Sequence, residues 1–415
     1  MLKKPSNPWL FCSWVLALLL ISCLIPLVWN SFGSDAVWSH LSTYLLPSYA
    51  KNTALLVVGV SIGTLLIGVS TAYLTTRYQF IGRSWLEKAL ILPLAVPSYL
   101  LAYALAGFFD YTGPFKQNIS WLFSEQFSSH AFLDVQHLGG LILVISIALY
   151  PYVYLTAKTA FSHLSKQYVE VGLTLSLSAT QTWRKLILPM SFPAISGSLL
   201  LVVMECLNDY GASKYFGVNT LTTGVFRAWF SMNSLASASK LAGILLSIIL
   251  LLSWVKQLIQ SRKKYEASSN KLPLKRILVS KRKQALFFVI CLTPIAIGIV
   301  IPLLYMVYAW AIATVDLSFI PYKSMIGNSL FLAFLVGITT TIISFSWQFT
   351  SHYFRAKKLN KLTQVASMGY TIPGAVIGIG VLGLATYFHD VFNWYISGSF
   401  ILLIFGLTFR LIAVS

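Results

Sequence analysis

Residues 138–157 have the sequence LGGLILVISIALYPYVYLTA, which contains no charged side chain. A run of about 20 mostly apolar residues is long enough to cross the hydrocarbon core of a bilayer as one helix. The whole chain has the same character, because 57% of its 415 residues are hydrophobic and only 10% are charged. Water-soluble domains carry about 25% charged residues. The composition therefore excludes a soluble protein, a secreted disulfide scaffold and an isolated nucleic-acid-binding module.

The same length rule predicts an all-α polytopic membrane protein with about ten transmembrane helices. Each span is expected to be one unbroken helix, because lipid offers no partner for free backbone N–H and C=O groups. The predicted spans are 9–29, 52–76, 89–109, 138–157, 191–210, 241–260, 286–312, 329–348, 364–387 and 396–414.

The positions of Lys and Arg predict the orientation of these spans. Cytoplasmic loops of membrane proteins carry an excess of basic residues. With the N-terminus placed in the cytoplasm, most of the 30 Lys and Arg residues fall on the cytoplasmic side. Topology and attraction to anionic lipid thus account for the net charge of +19, and we expect no nucleic acid as a partner.

The chain contains an internal repeat. The segment that begins at Asn52 aligns without gaps with the segment that begins at Asn328, an offset of 276 residues, and the same offset places Pro97 on Pro373. Six predicted spans separate the copies, so both enter the membrane in the same direction. This pattern is typical of a parallel tandem duplication.

The repeat predicts two halves joined by a linker. Residues 1–260 form the first half with six spans, and residues 261–285 form a basic cytoplasmic linker. Residues 286–415 form the second half, which has only four predicted spans. We therefore expect the second repeat to be truncated.

The cytoplasmic loop at residues 165–190 is patterned, because leucines alternate in it with Ser, Thr, Gln, Arg and Lys. Pro189 ends the loop and is expected to start the next span, where its missing N–H costs nothing. The pattern predicts a short amphipathic helix outside the bilayer. Such a helix either docks on another protein or rests on lipid headgroups.

The spacing in this loop resembles the EAA loop of binding-protein-dependent ABC importer permeases. That loop has Glu-Ala-Ala, three residues, Gly, nine residues and Ile-x-Leu-Pro. Val171-Gly172 stands here for Ala-Ala and Ser176 for Gly, and a Cβ opposes the positive φ that a tight turn needs. The residues that match the loop positions are Glu170, Gly172, Ser176, Leu186, Leu188 and Pro189.

A second segment, residues 204–218, resembles ferric-iron importer permeases, in which two permease halves are often fused in one chain. The resemblance implies a multi-pass protein of a bacterial inner membrane that works by alternating access. It implies that Glu170 makes polar contacts with an ATP-binding cassette ATPase, while Leu186 and Leu188 pack the loop helix against the spans. The chain lacks a GxxxxGK[ST] phosphate loop, so ATP hydrolysis is expected in that separate partner.

The resemblance also implies an extracytoplasmic substrate-binding protein. An importer needs two docking loops, so this chain either has a second permease chain as a further partner or is nonfunctional. Apart from a transported ion, no cofactor, catalytic residue or resident metal site is expected, because the four cysteines and six histidines show no ligand spacing.

The end of the fifth predicted span carries two carboxylates. Glu205 and Asp209 are four residues apart, which predicts one helix face. An ionisable group at membrane depth marks a transport pathway or a helix–helix contact, and both roles stay open here. The pathway candidates are Glu205, Asn208, Asp209 and Tyr210.

Three alternative functions are weighed against the importer. A fused permease for thiamine or a phosphonate has similar sequence features. An ion-coupled secondary transporter is disfavoured, because the repeat is parallel and we expect no span to be broken by Gly or Pro. A membrane-embedded enzyme is disfavoured by the lack of a catalytic cluster.

Overall fold

The structure is a computed structural model, which describes residues 7–33, 35–117, 134–261, 276–312, 321–354, 369 and 372–412. These residues are almost entirely helical. Strands β1 (Tyr78–Gln79) and β2 (Ile277–Leu278) form a two-residue parallel pair. The α-helices are α1 Asn7–Ile21, α2 Ile25–Ser31, α3 Ala36–His40, α4 Leu46–Arg77, α5 Arg83–Ala89, α6 Ser98–Phe109, α7 Leu138–Thr174, α8 Ala179–Thr182, α9 Leu188–Asn208, α10 Gly211–Tyr215, α11 Leu221–Phe226, α12 Leu235–Ser261, α13 Lys281–Ile295, α14 Ile301–Ile312, α15 Tyr322–Phe354, α16 Gly374–Phe392 and α17 Phe400–Leu411.

The prediction of an all-α polytopic membrane protein is confirmed. Among the described residues, eight helices are long and apolar enough to cross a membrane, and one bent pair raises the number to nine. The tenth predicted span, 396–414, corresponds to the shorter apolar helix α17. Part of the ninth predicted span, residues 364–368, lies outside the described residues.

The expectation that each span is one unbroken helix was wrong for 89–109. Here a helix pair, Arg83–Ala95 and Ser98–Gln117, bends by 98°. Val96 is extended (φ −95°, ψ 115°), as expected for a residue before proline, and Pro97 precedes α6 with φ −57° and ψ 141°. The break borders a cavity whose wall includes Val96, Pro97 and Ser98, and irregular backbone in a membrane protein is tolerated where it lines a cavity.

The described helices pack into two compact units, and each unit draws on both sequence halves. One unit comprises Met1–Pro47, Leu221–Leu250 and Thr314–Ser415, and the other comprises Ser48–Thr220 and Leu251–Ala313. The first helices of the chain, α1 and α2, thus pack with α15, α16 and α17. Helices α13 and α14, although they follow the linker, belong to the unit that contains most of the first half. The predicted boundaries at 260 and 285 therefore do not delimit compact units.

Helix bounds and backbone angles support the predicted repeat. The offset of 276 residues that relates Asn52 to Asn328 also relates the first residue of α4 to the first residue of α15. Pro373 precedes α16 with φ −56° and ψ 139°, nearly the angles of Pro97 before α6. Within the second unit, Gly107 of α6 faces Tyr305, whereas within the first unit Gly383 of α16 faces Pro26. In each unit, therefore, the entry helix of one half packs on the third-span helix of the other.

Helix α7 is the centre of the unit formed by Ser48–Thr220 and Leu251–Ala313. Tyr150 and Tyr154 are completely buried, and their hydroxyls donate to the carbonyls of Leu90 (2.8 Å) and Glu87 (2.9 Å). Buried tyrosines need such partners for their hydroxyls. Lys158, one turn further along α7, contacts the Glu87 carboxylate at 2.7 Å. These bonds fix α5 and the following turn against α7.

Candidate functional site

The predicted cytoplasmic loop is a helical hairpin rather than a separate short helix. Helix α7 continues to Thr174, four residues form the turn, and α8 begins at Ala179. From Thr180 the backbone stays helical to Asn208, so the second arm of the hairpin is also the fifth span. We call residues 170–189 the hairpin. The predicted short amphipathic helix is therefore not a separate element, because the helical backbone continues from it into the spans on both sides.

Ser176 forms the tight turn that the family pattern assigns to Gly. Its φ is +54°, in the left-handed region. The N–H of Leu177 donates to the carbonyl of Gly172 at 2.8 Å, and the N–H of Ser176 donates to Leu173 at 3.0 Å. These two bonds define a Schellman motif, which closes a helix C-terminus. The hydrogen bonds therefore hold Ser176 in a conformation that its Cβ opposes.

We expect Ser176→Gly to stabilise the turn by about 1 kcal/mol, because Gly adopts positive φ without the steric penalty of a Cβ. Hydrogen exchange of the Leu177 amide should slow by about fivefold. Ser178→Ala, two residues away, should act in the opposite direction, since it removes a helix cap worth about 1 kcal/mol. Faster exchange of the Leu177 amide in Ser176→Gly would contradict the backbone strain expected at Ser176.

A capping box starts the second arm. The Ser178 hydroxyl accepts from the N–H of Gln181 at 3.3 Å, and the Gln181 side chain accepts from the N–H of Ser178 at 2.9 Å. This reciprocal pair satisfies two amides that a helix N-terminus leaves free. Its signal, Ser-x-x-Gln at residues 178–181, is present in the sequence and was missed.

Gly172 is the point of closest approach between the two arms. It is buried, and a Cβ there would lie 2.7 Å from Cγ2 and 3.0 Å from Cβ of Thr182. Distances below 3.0 Å do not occur between such atoms without movement. A small residue at this position is therefore a packing requirement of the hairpin.

We expect Gly172→Ala to destabilise the hairpin by about 1–3 kcal/mol, the usual effect of overpacking. Thr182→Ala should relieve most of this penalty in the double variant, because the removed atoms are the ones that the new Cβ meets. Thermal unfolding of the four proteins of this double-mutant cycle measures the coupling. Simple additivity of the two single changes would show that the arms do not meet here.

The remaining predicted hairpin residues differ in exposure. Glu170 is exposed on the last turn of α7, and Pro189 is exposed on α9. Leu186 and Leu188 are only half-buried, whereas Ile187 between them is 2% exposed. Leu188 packs against the hydrophobic core, as the resemblance implies, and the neighbouring Ile187 is the most deeply buried of the three residues.

Pro189 is the second residue of α9, and helical backbone continues on both sides of it. The preceding turn, Trp183–Ile187, is π-helical, and the N–H of Leu188 bonds to the carbonyl of Trp183. The wider turn accommodates a proline that would otherwise clash with the carbonyl one turn back. Pro189 thus lies in the first turn of α9, where the sequence predicts it, but a π-helical turn rather than a loop precedes it.

The tip of the hairpin is apolar. Val171, Leu173 and Leu175 are all exposed, and Leu173 is 70% exposed. The base, by contrast, is held by aromatic packing. Trp183 lies 4.4 Å from the ring of Phe161 on α7 and 4.1 Å from the ring of Tyr73 on α4. The hairpin therefore presents an uncovered apolar tip on a fixed base.

The predicted pathway residues meet at one cavity of about 410 Å³. Its wall includes the break in the bent span and residues of α7. Asp209 lies one residue beyond the end of α9, in an extended conformation with ψ 112°, so it does not share a helix face with Glu205 as predicted. The turn nevertheless brings both carboxylates to the same wall. The cavity is lined by Glu205, Asn208, Asp209 and Tyr210 among others.

Asp209 fastens the bent span to the helix that ends beside it. Its carboxylate accepts a short hydrogen bond from the Ser98 hydroxyl and a 3.0 Å bond from the N–H of Ser213. Ser98 is the first residue of α6, where a helix N-terminus favours negative charge. No local pattern predicts the role of Ser98, because the two partners are 111 residues apart.

Residues 64–265, which include the hairpin and the four predicted pathway residues, match the family described as "binding-protein-dependent transport system inner membrane component". The matched segment makes up just under half of the chain, and the match supports a binding-protein-dependent permease. The permease is therefore a multi-pass transport component of a membrane. Among the described residues, no group of three or more His, Cys, Asp or Glu side chains could hold a metal ion.

Relatives of this permease carry different substrate names. The Fe(3+)-transport system permease protein FbpB 2 of Haemophilus influenzae is 23% identical over 403 residues, which cover 94% of this chain and 75% of that protein. The sulfate transport system permease protein CysT of Salmonella typhimurium is 26% identical, over 54% of this chain and 80% of that protein. The trehalose/maltose transport system permease protein MalG of Thermococcus litoralis is 25% identical, over 46% of this chain and 70% of that protein.

Proposed function

We propose that the chain is the permease subunit of an ATP-driven importer and that a separate ATP-binding cassette ATPase docks on the hairpin. The observation that carries this proposal is the exposed apolar tip on a fixed base. A tip that is covered by another protein loses unfavourable contact with water. The N-terminus and the hairpin then lie in the cytoplasm, in accord with the distribution of Lys and Arg.

Both arms of the hairpin lead to the cavity, which supports a mechanical role. Helix α7 contributes Ala148 and Tyr152 to the cavity wall, and α9 contributes Glu205 and Asn208. At 1.5 Å per residue, α9 carries a displacement of its first turn over about 30 Å. Closure of the ATPase would thus move the cavity walls and alternate the access to them.

For the substrate we propose ferric iron delivered by an extracytoplasmic binding protein. Glu205 and Asp209 favour a cation over sulfate or a phosphonate, because two carboxylates repel an anion at this depth. Ferric ion prefers hard oxygen ligands, which carboxylates provide. The similarity to the Fe(3+)-transport permease along nearly the whole chain supports the same substrate. Thiamine, which is also a cation, is the alternative that the charge does not distinguish.

Uptake into proteoliposomes tests the proposal. The permease is reconstituted with its ATPase and binding protein, and the uptake of radioactive ferric iron, thiamine and sulfate is compared with and without internal ATP. We expect ATP-dependent uptake of iron alone. ATP-dependent uptake of thiamine alone would replace the substrate and keep the class. Uptake that needs no ATP and stops when a protonophore is added would identify a secondary transporter instead.

A further inference from the structure

A cluster of four aromatic side chains connects the base of the hairpin with helix α13. The Trp183 ring lies 4.1 Å from the Tyr73 ring, and the Tyr73 and Tyr78 hydroxyls are 3.0 Å apart. The Tyr78 ring then lies 4.9 Å from the ring of Phe287 on α13. These distances are those of aromatic rings in direct contact. The cluster therefore joins the hairpin of the first half to the first helix of the second half.

Backbone pairing fixes the same end of α13. Strand β2, which precedes α13, pairs with β1, so that Tyr78 is opposite Ile277. Phe80, which is buried, also contacts the ring of Phe287 at 6.1 Å. The start of α13 is thus held to the first half by main-chain hydrogen bonds as well as by side chains.

The other end of α13 lies at the break in the bent span. The π-helical turn Ala296–Val300 follows α13, and a Cβ on Gly298 in this turn would be 2.8 Å from Cβ of Pro93. Gly298 therefore lets the two backbones approach each other closely. Pro93 precedes Leu94 and Val96, which line the cavity with the two carboxylates. From Phe287 to Gly298 the helix spans about 16 Å.

We propose that α13 is a positioning element that passes movement of the hairpin to the break beside the cavity. Its two contacts are Phe287 at the aromatic cluster and, in the π-helical turn that continues the helix, Gly298 at Pro93. Close-packed side chains are hard to compress, so a shift of Trp183 displaces the rings that follow it and the helix that they touch. The proposal rests on the proposed function, since it takes the hairpin as the part that the ATPase moves. It adds a helix of the second half to the route between ATPase and substrate.

Nucleotide-dependent labelling of the cavity tests this role without a substrate. The full chain, with Cys12→Ser and Leu149→Cys, is reconstituted with its ATPase, and the rate of maleimide labelling at position 149 is measured with and without ATP and vanadate. We expect Phe287→Ala to reduce the ratio of the two rates by about fivefold or more, the lower range of allosteric coupling. Leu286→Ala is the matched control, because the neighbouring Leu286 is exposed and should leave the ratio unchanged.

Two further measurements separate coupling from stability. Phe287→Leu keeps apolar volume but loses the ring contacts, so it should also reduce the ratio while the complex still co-purifies with the ATPase. Trp183→Ala combined with Phe287→Ala should lower the ratio no further than either change alone, since both interrupt one route. An unchanged ratio in both Phe287 variants overturns the proposal. If the unsubstituted chain retains no ATPase, the proposed function fails instead.

Discussion

Leu173→Glu is expected to abolish co-purification of the permease with its ATPase. Leu173 is 70% exposed at the tip of the hairpin, so the substitution should leave the fold of the chain intact. In a complex, however, the new carboxylate is buried against the partner without a counter-charge, which costs about 3 kcal/mol or more. Affinity should fall by about a hundredfold or more, measured by binding of the purified ATPase to the permease in nanodiscs.

Leu278→Glu provides the matched control for this experiment. Leu278 is 80% exposed on β2 and lies outside the hairpin, so the same substitution there should leave the affinity unchanged. A photo-crosslinking residue at position 175 adds an independent readout. Crosslinks from this position to lipid alone, together with normal affinity in Leu173→Glu, would mean that the hairpin rests on headgroups and docks on no ATPase.

Asp209→Ala is expected to have the second large effect, a fall in uptake of at least about tenfold, equivalent to about 1.4 kcal/mol in the barrier. The change removes the acceptor of the Ser98 hydroxyl and of the Ser213 N–H. Each donor left without a partner costs about 1–3 kcal/mol, so the bent span should loosen at its break. Association with the ATPase should survive, because Asp209 is remote from the hairpin in sequence and is not part of it.

Asp209→Asn distinguishes the charge of this residue from its hydrogen bonds. The amide oxygen can still accept from the Ser213 N–H, and the amide nitrogen can donate to the Ser98 hydroxyl. If the charge acts on a passing cation, uptake falls in this variant as well, which is the result we expect. Ser98→Ala is the complement, since it removes one bond and keeps the charge. Normal uptake in Asp209→Asn would remove Asp209 from the pathway and leave it a structural role.

The sequence was sufficient to predict features that depend on local composition. Helix α7 begins at Leu138, where the apolar run begins, and all ten predicted segments contain helix in their described parts. The spacing from Glu170 to Pro189 located the hairpin. Ser176, which differs from the family pattern, still has φ +54°, because two hydrogen bonds around it outweigh its preference.

The bend at Pro97 could not be predicted from the rule that was applied to it. That rule assumes that a span faces lipid, whereas this break follows Pro93, which packs against Gly298, and is bonded through Ser98 to Asp209. A break in a helix leaves backbone N–H and C=O groups without helical partners, and these tertiary contacts decide whether the break is tolerated. Hydropathy also carries no information about which helices touch. It therefore could not predict the exchange of entry helices, in which the first helix of each half packs on the third-span helix of the other half.

The exchange of entry helices has a consequence for the synthesis and membrane insertion of the protein. The hydroxyl of Ser13 on α1 donates to Thr350 on α15, a partner 337 residues later in the chain. At about 5–20 residues per second, the ribosome needs roughly 15–70 s to make the intervening segment. Until then the Ser13 hydroxyl, which is buried in the folded chain, lacks this partner, so α1 cannot complete its packing before α15 has been made.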